Sequence, residues 1–424
     1  MPSFLSDGRH FIYFCNSSIP ENTGVYVGSI DAKPEDQVIK QLMITSRAAV
    51  YVPPAESTAG YLLFMNDQTL MAQRFDDKQL KLIGEPISID DRVGNYLDYG
   101  FFSASETGVL IYRSGTSQTS QPTWFDRQGK SLGTEGDAGT YYRLAISQDG
   151  TRAAFSWVNP GQFSSSPDVW LRNFARKTNH RLTFGKSNNT RPIWSPDGSK
   201  IIFTSDREGT YNLYQKLASG VNEEELLFES SDNKYPTSWS SDGRFVLYTA
   251  VDKNNNNDLR VLSLEDGIKE IPLLPDQFNE GDGHFSPNMR WIAYVSDESG
   301  INEVYVQEFL YGSGNTSAAA GKWQISQGGG LGPRWKSDGK ELYYRTSDGK
   351  VMAVAVKTDT MSDVGIPQIL FKGYPDISTL STIAPSPAWD VSPDGSRFLI
   401  LTPSLESSTS PFTVILNWTK LLDK

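Results

Sequence analysis

Apolar residues along this chain come in short runs, each cut by a polar turn rich in glycine, proline, serine and aspartate. Lys200-Ile201-Ile202-Phe203-Thr204, Phe245-Val246-Leu247-Tyr248-Thr249 and Trp291-Ile292-Ala293-Tyr294-Val295 have the length and the β-branched, aromatic character of strands packed face to face. Residues 190–232 show one complete unit. Thr190–Trp194 reads as an inner strand, Ser195-Pro196-Asp197-Gly198 reverses the chain, and Lys200–Thr204, Asn212–Lys216 and Glu225–Phe228 read as the second, third and outer strands. In the reversal, proline presets φ at about −65°, aspartate bonds a nearby backbone N–H, and glycine accepts positive φ.

The reversal recurs. Copies stand at Ser6-Asp7-Gly8, Ser105–Gly108, Ser147-Gln148-Asp149-Gly150, Ser241-Asp242-Gly243, Ser286-Pro287-Asn288, Ser337-Asp338-Gly339 and Ser392-Pro393-Asp394-Gly395, with an eroded copy near Gly60–Phe64. From Asp149 onward the anchors at 149, 197, 242, 288, 338 and 394 lie 48, 45, 46, 50 and 56 residues apart. A period of roughly 40 to 50 residues with four strands per repeat predicts an all-β chain, a β-propeller of four-stranded antiparallel blades, and nine repeats are counted here.

A longer period lies inside the short one. Asp7 and Asn288, Met71 and Met352, Ala72 and Ala353, Gly84 and Gly365, and Pro86 and Pro367 are each separated by 281 residues. The pattern therefore recurs after six blades, which is a closed ring size. The expected organisation is three blades over 1–137 and a six-bladed ring over 138–424. Three blades form only a half-ring with two apolar faces uncovered. A preceding segment carrying further blades, a homodimer through the N-terminal blades, or one eight- or nine-bladed ring would each cover them.

Composition narrows the partners. With 39 basic and 50 acidic side chains the formal net charge is −11, which gives no general attraction for a phosphate backbone, so nucleic acid is not an expected partner. Cys15 is the only cysteine, which excludes an internal disulfide and a cysteine-based zinc site. No run approaches the roughly 18 apolar residues of a membrane span, so no membrane insertion by this chain is expected. The first residues have neither the basic start nor the apolar core of a secretion signal.

The Ser-Pro-Asp-Gly phrase followed by an aromatic strand resembles the TolB-like propeller repeat, which also occurs in the propellers of the dipeptidyl peptidase IV, prolyl oligopeptidase and tricorn families. Pro2–Phe11, Tyr61–Phe64 with Thr69–Ala72, Asn212–Lys216, Lys322–Ser326 and Val414–Trp418 are similar to the C-terminal propeller region of acidobacterial-type serine/threonine kinases. In that family a kinase domain comes first, then a membrane span, then tandem propeller repeats. The resemblance implies a sensor or scaffold role in signalling and an extracytoplasmic, periplasmic setting, tethered by a segment outside this chain.

No kinase motif and no Gly-x-Ser-x-Gly nucleophile elbow is present, so neither the kinase nor the peptidase activity of these families is carried by residues seen here. His10, His180 and His284 are scattered, and no catalytic residue, metal site or cofactor is expected. The repeated aspartates are read as turn residues. The expected recognition surface is the channel mouth formed where the chain enters the inner strands: Tyr142, Arg143, Asn189, Arg191, Lys234, Tyr235, Glu280, Asp282, His284 and Arg334. These observations predict a non-catalytic module that binds a protein, peptide or other ligand. The alternative is the substrate-gating propeller of a prolyl oligopeptidase-like system whose hydrolase domain lies on another chain. An enzyme of its own would need clustered carboxylates, and Glu280 with Asp282 is the near pair at the mouth.

Overall fold

The computed structural model describes residues 2–15, 20–33, 40–45, 47–54, 59–66, 69–91, 93–96, 99–114, 119–158, 166–265, 267–274, 277–309, 321–359, 361, 364–373, 388–404 and 411–422. The chain divides into two compact units, Ser120–Thr402 and Met1–Thr119 with Pro403–Lys424.

In the larger unit the strands expected from residues 190–232 form as Asn189–Trp194, Lys200–Glu208, Thr210–Leu217 and Glu225–Phe228, hydrogen-bonded in that order from the inside out. This is the second of six four-stranded antiparallel sheets. The first runs from Thr140–Ile146 to Thr178–Arg181, the third from Asn233–Trp239 to Lys269–Pro272, the fourth from Glu280–Phe285 to Lys322–Gln324, and the fifth from Leu331–Trp335 to Gln368–Lys372. The sixth has Trp389–Val391 innermost, then Arg397–Pro403, then Ser120–Asp126, with Ser131–Thr134 outside. The six innermost strands are neighbours in cyclic order, the sixth touching both the fifth and the first.

This closure displaces the boundary expected at 137/138. Ser120–Thr134, assigned to the N-terminal blades, supplies the two outer strands of a sheet whose inner strands lie at 389–403. Phe412–Leu416, expected in the larger ring, pairs instead with Val109–Arg113 of the smaller unit. The repeat phrase sits between a first and a second strand, so its spacing does not reveal which part of the chain supplies the outer strands.

Each gap between neighbouring sheets has its own apolar cluster. Phe245, Leu247, Val261, Phe285, Ile292 and Tyr294 fill the gap between the third and fourth sheets. Trp124, Tyr141, Phe155, Trp157, Leu399 and Leu401 fill the gap between the sixth and the first. The hydroxyls of the second strands add polar ties across the gaps. Arg191 N donates to Ser156 Oγ at 2.9 Å, and Thr204 Oγ1 donates to the Lys234 carbonyl at 2.7 Å.

The turn phrase is a hydrogen-bonded box. Ser195 Oγ donates to Asp197 Oδ1 at 2.6 Å and accepts from Lys200 N at 2.9 Å, while Ser199 N donates to Asp197 Oδ1 at 3.0 Å. Gly198 closes it at φ +67°. The box recurs at Ser240/Asp242 and Ser392/Asp394. At Ser286/Asn288 an amide replaces the carboxylate and Met289 takes the glycine's place at φ +60°. In the fifth sheet Lys336 stands where serine is expected, and its ammonium lies 3.0 Å from Asp338. The repeated aspartates are thus turn residues, as the sequence implies.

The smaller unit holds two four-stranded sheets, Ser3–Phe4 to Lys40–Ile44 and Val50–Val52 to Lys81–Asp90, a three-stranded sheet of Phe102–Ala104, Val109–Arg113 and Phe412–Leu416, and a short pair, Asn95–Tyr96 with Tyr99–Gly100. Trp418, fully buried, packs there with Leu63, Leu70 and Leu110.

The boxes set an acid sensitivity. Hydrogen bonds from Ser195 and Ser199 hold the Asp197 carboxyl down at about 2, and the equivalent bonds from Ser392 and Ser396 hold Asp394 at about 2. A carboxyl lowered on folding contributes stability above its unfolded value of about 4 and loses it as pH falls toward the folded value. Asparagine keeps the acceptor, as Asn288 does, but does not titrate. The Asp197→Asn, Asp394→Asn double variant should therefore lose less stability between pH 5 and pH 2 than the wild type, read by urea unfolding at each pH. Equal losses would contradict this account of the turn.

Candidate functional site

The inner strands that line the axis of the larger unit are not regular. Their pairing with the second strands shifts between Tyr141 and Arg143, Thr190 and Ile193, Pro236 and Ser238, Gly281 and His284, and Leu331 and Arg334. Arg191, Asp282 and Gly332 lie in the left-handed region within three of these irregularities, at φ +52°, +49° and +62°. Such bulges re-aim the side chains beside them.

An axial chamber of 370 Å³ opens toward the turn-phrase end of these strands. Trp194, Trp239, Phe285 and Trp335 form much of its apolar wall, and His284, Arg334 and Asp390 supply charge and hydrogen-bonding groups. The indoles also tie the ring together. Trp194 Nε1 donates to the Ala145 carbonyl and Trp335 Nε1 to the His284 carbonyl, each at 3.0 Å, so the inner strands of the second and fifth sheets are bonded to the ones before them.

The polar cluster is built around Arg334. Its Nη1 lies 2.7 Å from His284 Nε2, 2.8 Å from the Pro333 carbonyl and 3.7 Å from Asp282 Oδ1, and its Nε lies 3.5 Å from Asp390 Oδ1. Arginine only donates, so His284 Nε2 accepts and the imidazole is neutral. Burial, with the nearby Arg334 charge, pushes the His284 pKa down in agreement. Asp390 Oδ2 is fixed by the Ile146 N–H at 2.7 Å. The cluster thus sets two carboxylates against one guanidinium.

The ten residues expected at the mouth fall into different places. His284 and Arg334 line the chamber, and Asp282 is in ion-pair reach of both. The buried Arg191 guanidinium stacks 4.4 Å from the Tyr235 ring, which packs 5.6 Å from Tyr211. Tyr142 is exposed, and Arg143 donates to its carbonyl. Asn189, Lys234 and Glu280 are buried between sheets. Asn189 donates to Asp168 at 3.1 Å, and Lys234 Nζ donates to Asn212 Oδ1, the Ser230 carbonyl and the Asp232 carbonyl. Burial pushes the Lys234 ammonium down to about 8. Burial, and then the neighbouring Asp258 carboxylate, push the Glu280 carboxyl up to about 8. The chamber tryptophans and Asp390 were absent from the expected set. The signal of the tryptophans is an aromatic immediately before the turn phrase, as in Trp194-Ser195, Trp239-Ser240 and Trp335-Lys336.

The fold is that of a β-propeller, and a model of the TolB beta propeller domain matches residues 138–306. The structure of a putative TolB from Agrobacterium tumefaciens superposes with a TM-score of 0.52 at 18% identity, covering 67% of this chain and 98% of that one. By sequence the chain is 28% identical to a Bacillus subtilis protein described as the uncharacterized peptidase YuxL, over 37% of this chain and 30% of that protein. It is 26% identical to the Tol-Pal system protein TolB of Helicobacter pylori, over 42% of this chain and 44% of that protein. The matches thus span less than half the length of these curated relatives.

Lys234 separates framework from chamber. Lys234→Ala leaves the buried Asn212 Oδ1 and the partly buried Ser230 and Asp232 carbonyls without their donor and should cost about 3 kcal/mol of stability. Urea unfolding checks this, and a loss below about 1 kcal/mol would place Lys234 outside the framework.

Proposed function

We propose that the larger unit is a non-catalytic recognition module whose axial chamber takes a peptide segment presenting a basic side chain flanked by apolar residues. The observation that carries this reading is the chamber itself. Trp194, Trp239, Phe285 and Trp335 stand in its wall, and the Arg334 guanidinium, beside a neutral imidazole, faces two carboxylates, Asp390 on the wall and Asp282 3.7 Å away outside the lining. Aromatic rings with excess carboxylate favour a cation over an anion. The net charge of −11 draws basic partners in the same sense. A rigid ring of sheets with a concave, partly apolar centre is a recurrent setting for ligand sites.

The likeness to the Bacillus subtilis protein described as a peptidase favours a second reading, a propeller that admits substrate to a hydrolase on another chain. A sensor role within a kinase-like signalling protein rests on the resemblance of Pro2–Phe11, Lys322–Ser326 and Val414–Trp418. Both readings use the chamber for recognition, and neither assigns chemistry to it.

Selection from a randomised 12-residue peptide library should enrich sequences with lysine or arginine beside apolar residues. The enriched peptide should bind Asp390→Asn about tenfold more weakly, a change of about 1.4 kcal/mol. Asparagine keeps an acceptor for Ile146 N, so the ring is preserved. Enrichment of acidic sequences, or equal affinity for the variant, would contradict the reading.

A further inference from the structure

The repeats of the larger unit supply their own comparison. Where one sheet meets the next, a residue at the start of an inner strand faces a residue near the start of the preceding sheet's third strand. Pairing registers make Asn189, Lys234 and Glu280 equivalent, opposite Ser205, Ala250 and Ser296 of their own sheets. The same registers make Asp168, Asn212, Asp258 and Glu303 equivalent on the third strands.

Three of these junctions are matched donor to acceptor. Asn189 Nδ2 donates to Asp168 Oδ1 at 3.1 Å. The Lys234 ammonium sits among three oxygens, Asn212 Oδ1 at 2.8 Å, the Ser230 carbonyl at 3.1 Å and the Asp232 carbonyl at 2.5 Å. Glu303 accepts from Gly328 N at 2.7 Å, from Gly329 N at 2.9 Å and from the Ser326 hydroxyl.

The junction between the third and fourth sheets breaks the rule, because an acid, Glu280, stands opposite an acid, Asp258. Asp258 is held by Arg260 at 3.0 Å, and Arg260 also holds Glu270 at 2.8 Å. The Glu280 side chain is only 4% exposed and makes no hydrogen bond to any described residue. Asn257 Oδ1, one residue before Asp258, is likewise buried with no hydrogen-bond partner among the described residues. Both border a cavity of 20 Å³, which also touches Asp282 and Asn302 and has room for a single water-sized body. A buried carboxyl beside another acid must either hold a proton or be joined by a positive charge.

We propose that this cavity binds one hard cation of the calcium class, held by the Glu280 carboxylate with oxygen donors from Asn257, Asn302 and Asp282, in place of the ammonium that Lys234 supplies one sheet earlier. The donor set is oxygen throughout, carboxylate and amide, which is the chemistry calcium takes in flexible geometry, with water completing the shell. No three His, Cys, Asp or Glu side chains converge on one metal position among the described residues, so the amide oxygens are integral to the site rather than an addition to an acidic cluster. The cation bridges an inner strand of the fourth sheet to the third sheet, so its effect is on the stability of the ring.

The test uses the full chain, freed of metal with a chelator and dialysed into a tetramethylammonium buffer. Melting is followed as calcium chloride is added to 10 mM, with tetramethylammonium chloride at matched ionic strength as the control. The wild type should gain about 3 °C or more over that control, and equilibrium dialysis should find one calcium per chain. Glu280→Gln should lose most of the gain. Glu280→Lys, which places an ammonium where Lys234 has one, should not respond to calcium and should melt no lower without it than Glu280→Gln. If Glu280→Lys does not fold, Glu280→Gln decides alone. A wild type that does not respond beyond the salt control, or a Glu280→Gln variant that gains as much as the wild type, overturns the proposal.

Discussion

The larger unit depends on the sheet in which Trp389–Val391 and Arg397–Pro403 are joined by Ser120–Asp126 and Ser131–Thr134. Every sheet buries both faces, so an open row of sheets would leave two apolar faces in water. The sixth sheet removes both at once. Its cluster with the fifth sheet includes Tyr343, Phe371, Trp389 and Phe398, and its cluster with the first includes Trp124, Tyr141 and Leu399. Pairing strands from the two ends of a unit of this length costs loop-closure entropy, which grows only slowly with chain length. The burial at two gaps offsets it.

Closure also sets what the axis can do. Six inner strands converge, and the recurring pairing shifts let side chains such as Arg334 and His284 reach the axis while neighbouring residues stay between sheets. The indoles of Trp194 and Trp335 belong to both roles, since each walls the chamber and bonds to the preceding strand. Changes at these tryptophans therefore alter ring stability and recognition together, whereas Asp390 offers a handle on recognition with its backbone contact kept.

Much of the fold was legible because its determinants are local. The box at Ser195, Asp197 and Gly198 is written within six residues, and the strands beside it follow from alternation. The boundary near residue 137 was not legible, because the pairing of Ser120–Asp126 with Arg397–Pro403 leaves no local mark. Strand order pointed to the end where the chain enters the inner strands, whereas the chamber opens at the turn-phrase end, and it did not tell which face each residue presents. Arg334 and His284 thus reach the chamber, while Lys234 and Asn189, chosen by the same reasoning, turn between sheets to meet Asn212 and Asp168. Asp390 escaped notice because a lone aspartate one residue after Trp389 carries no pattern; it acquires a role only when the ring brings Arg334 beside it.

The most direct test of closure is a cross-link between the two ends of the larger unit. Thr123 Oγ1 and Thr402 Oγ1 lie 2.8 Å apart across the junction of the third and second strands of the sixth sheet. In the full chain with Cys15→Ser, the Thr123→Cys, Thr402→Cys pair should form an intramolecular disulfide on oxidative refolding and raise the melting temperature relative to its reduced form. Two free thiols in the folded, oxidised protein, or only intermolecular cross-links, would contradict a ring closed by these strands.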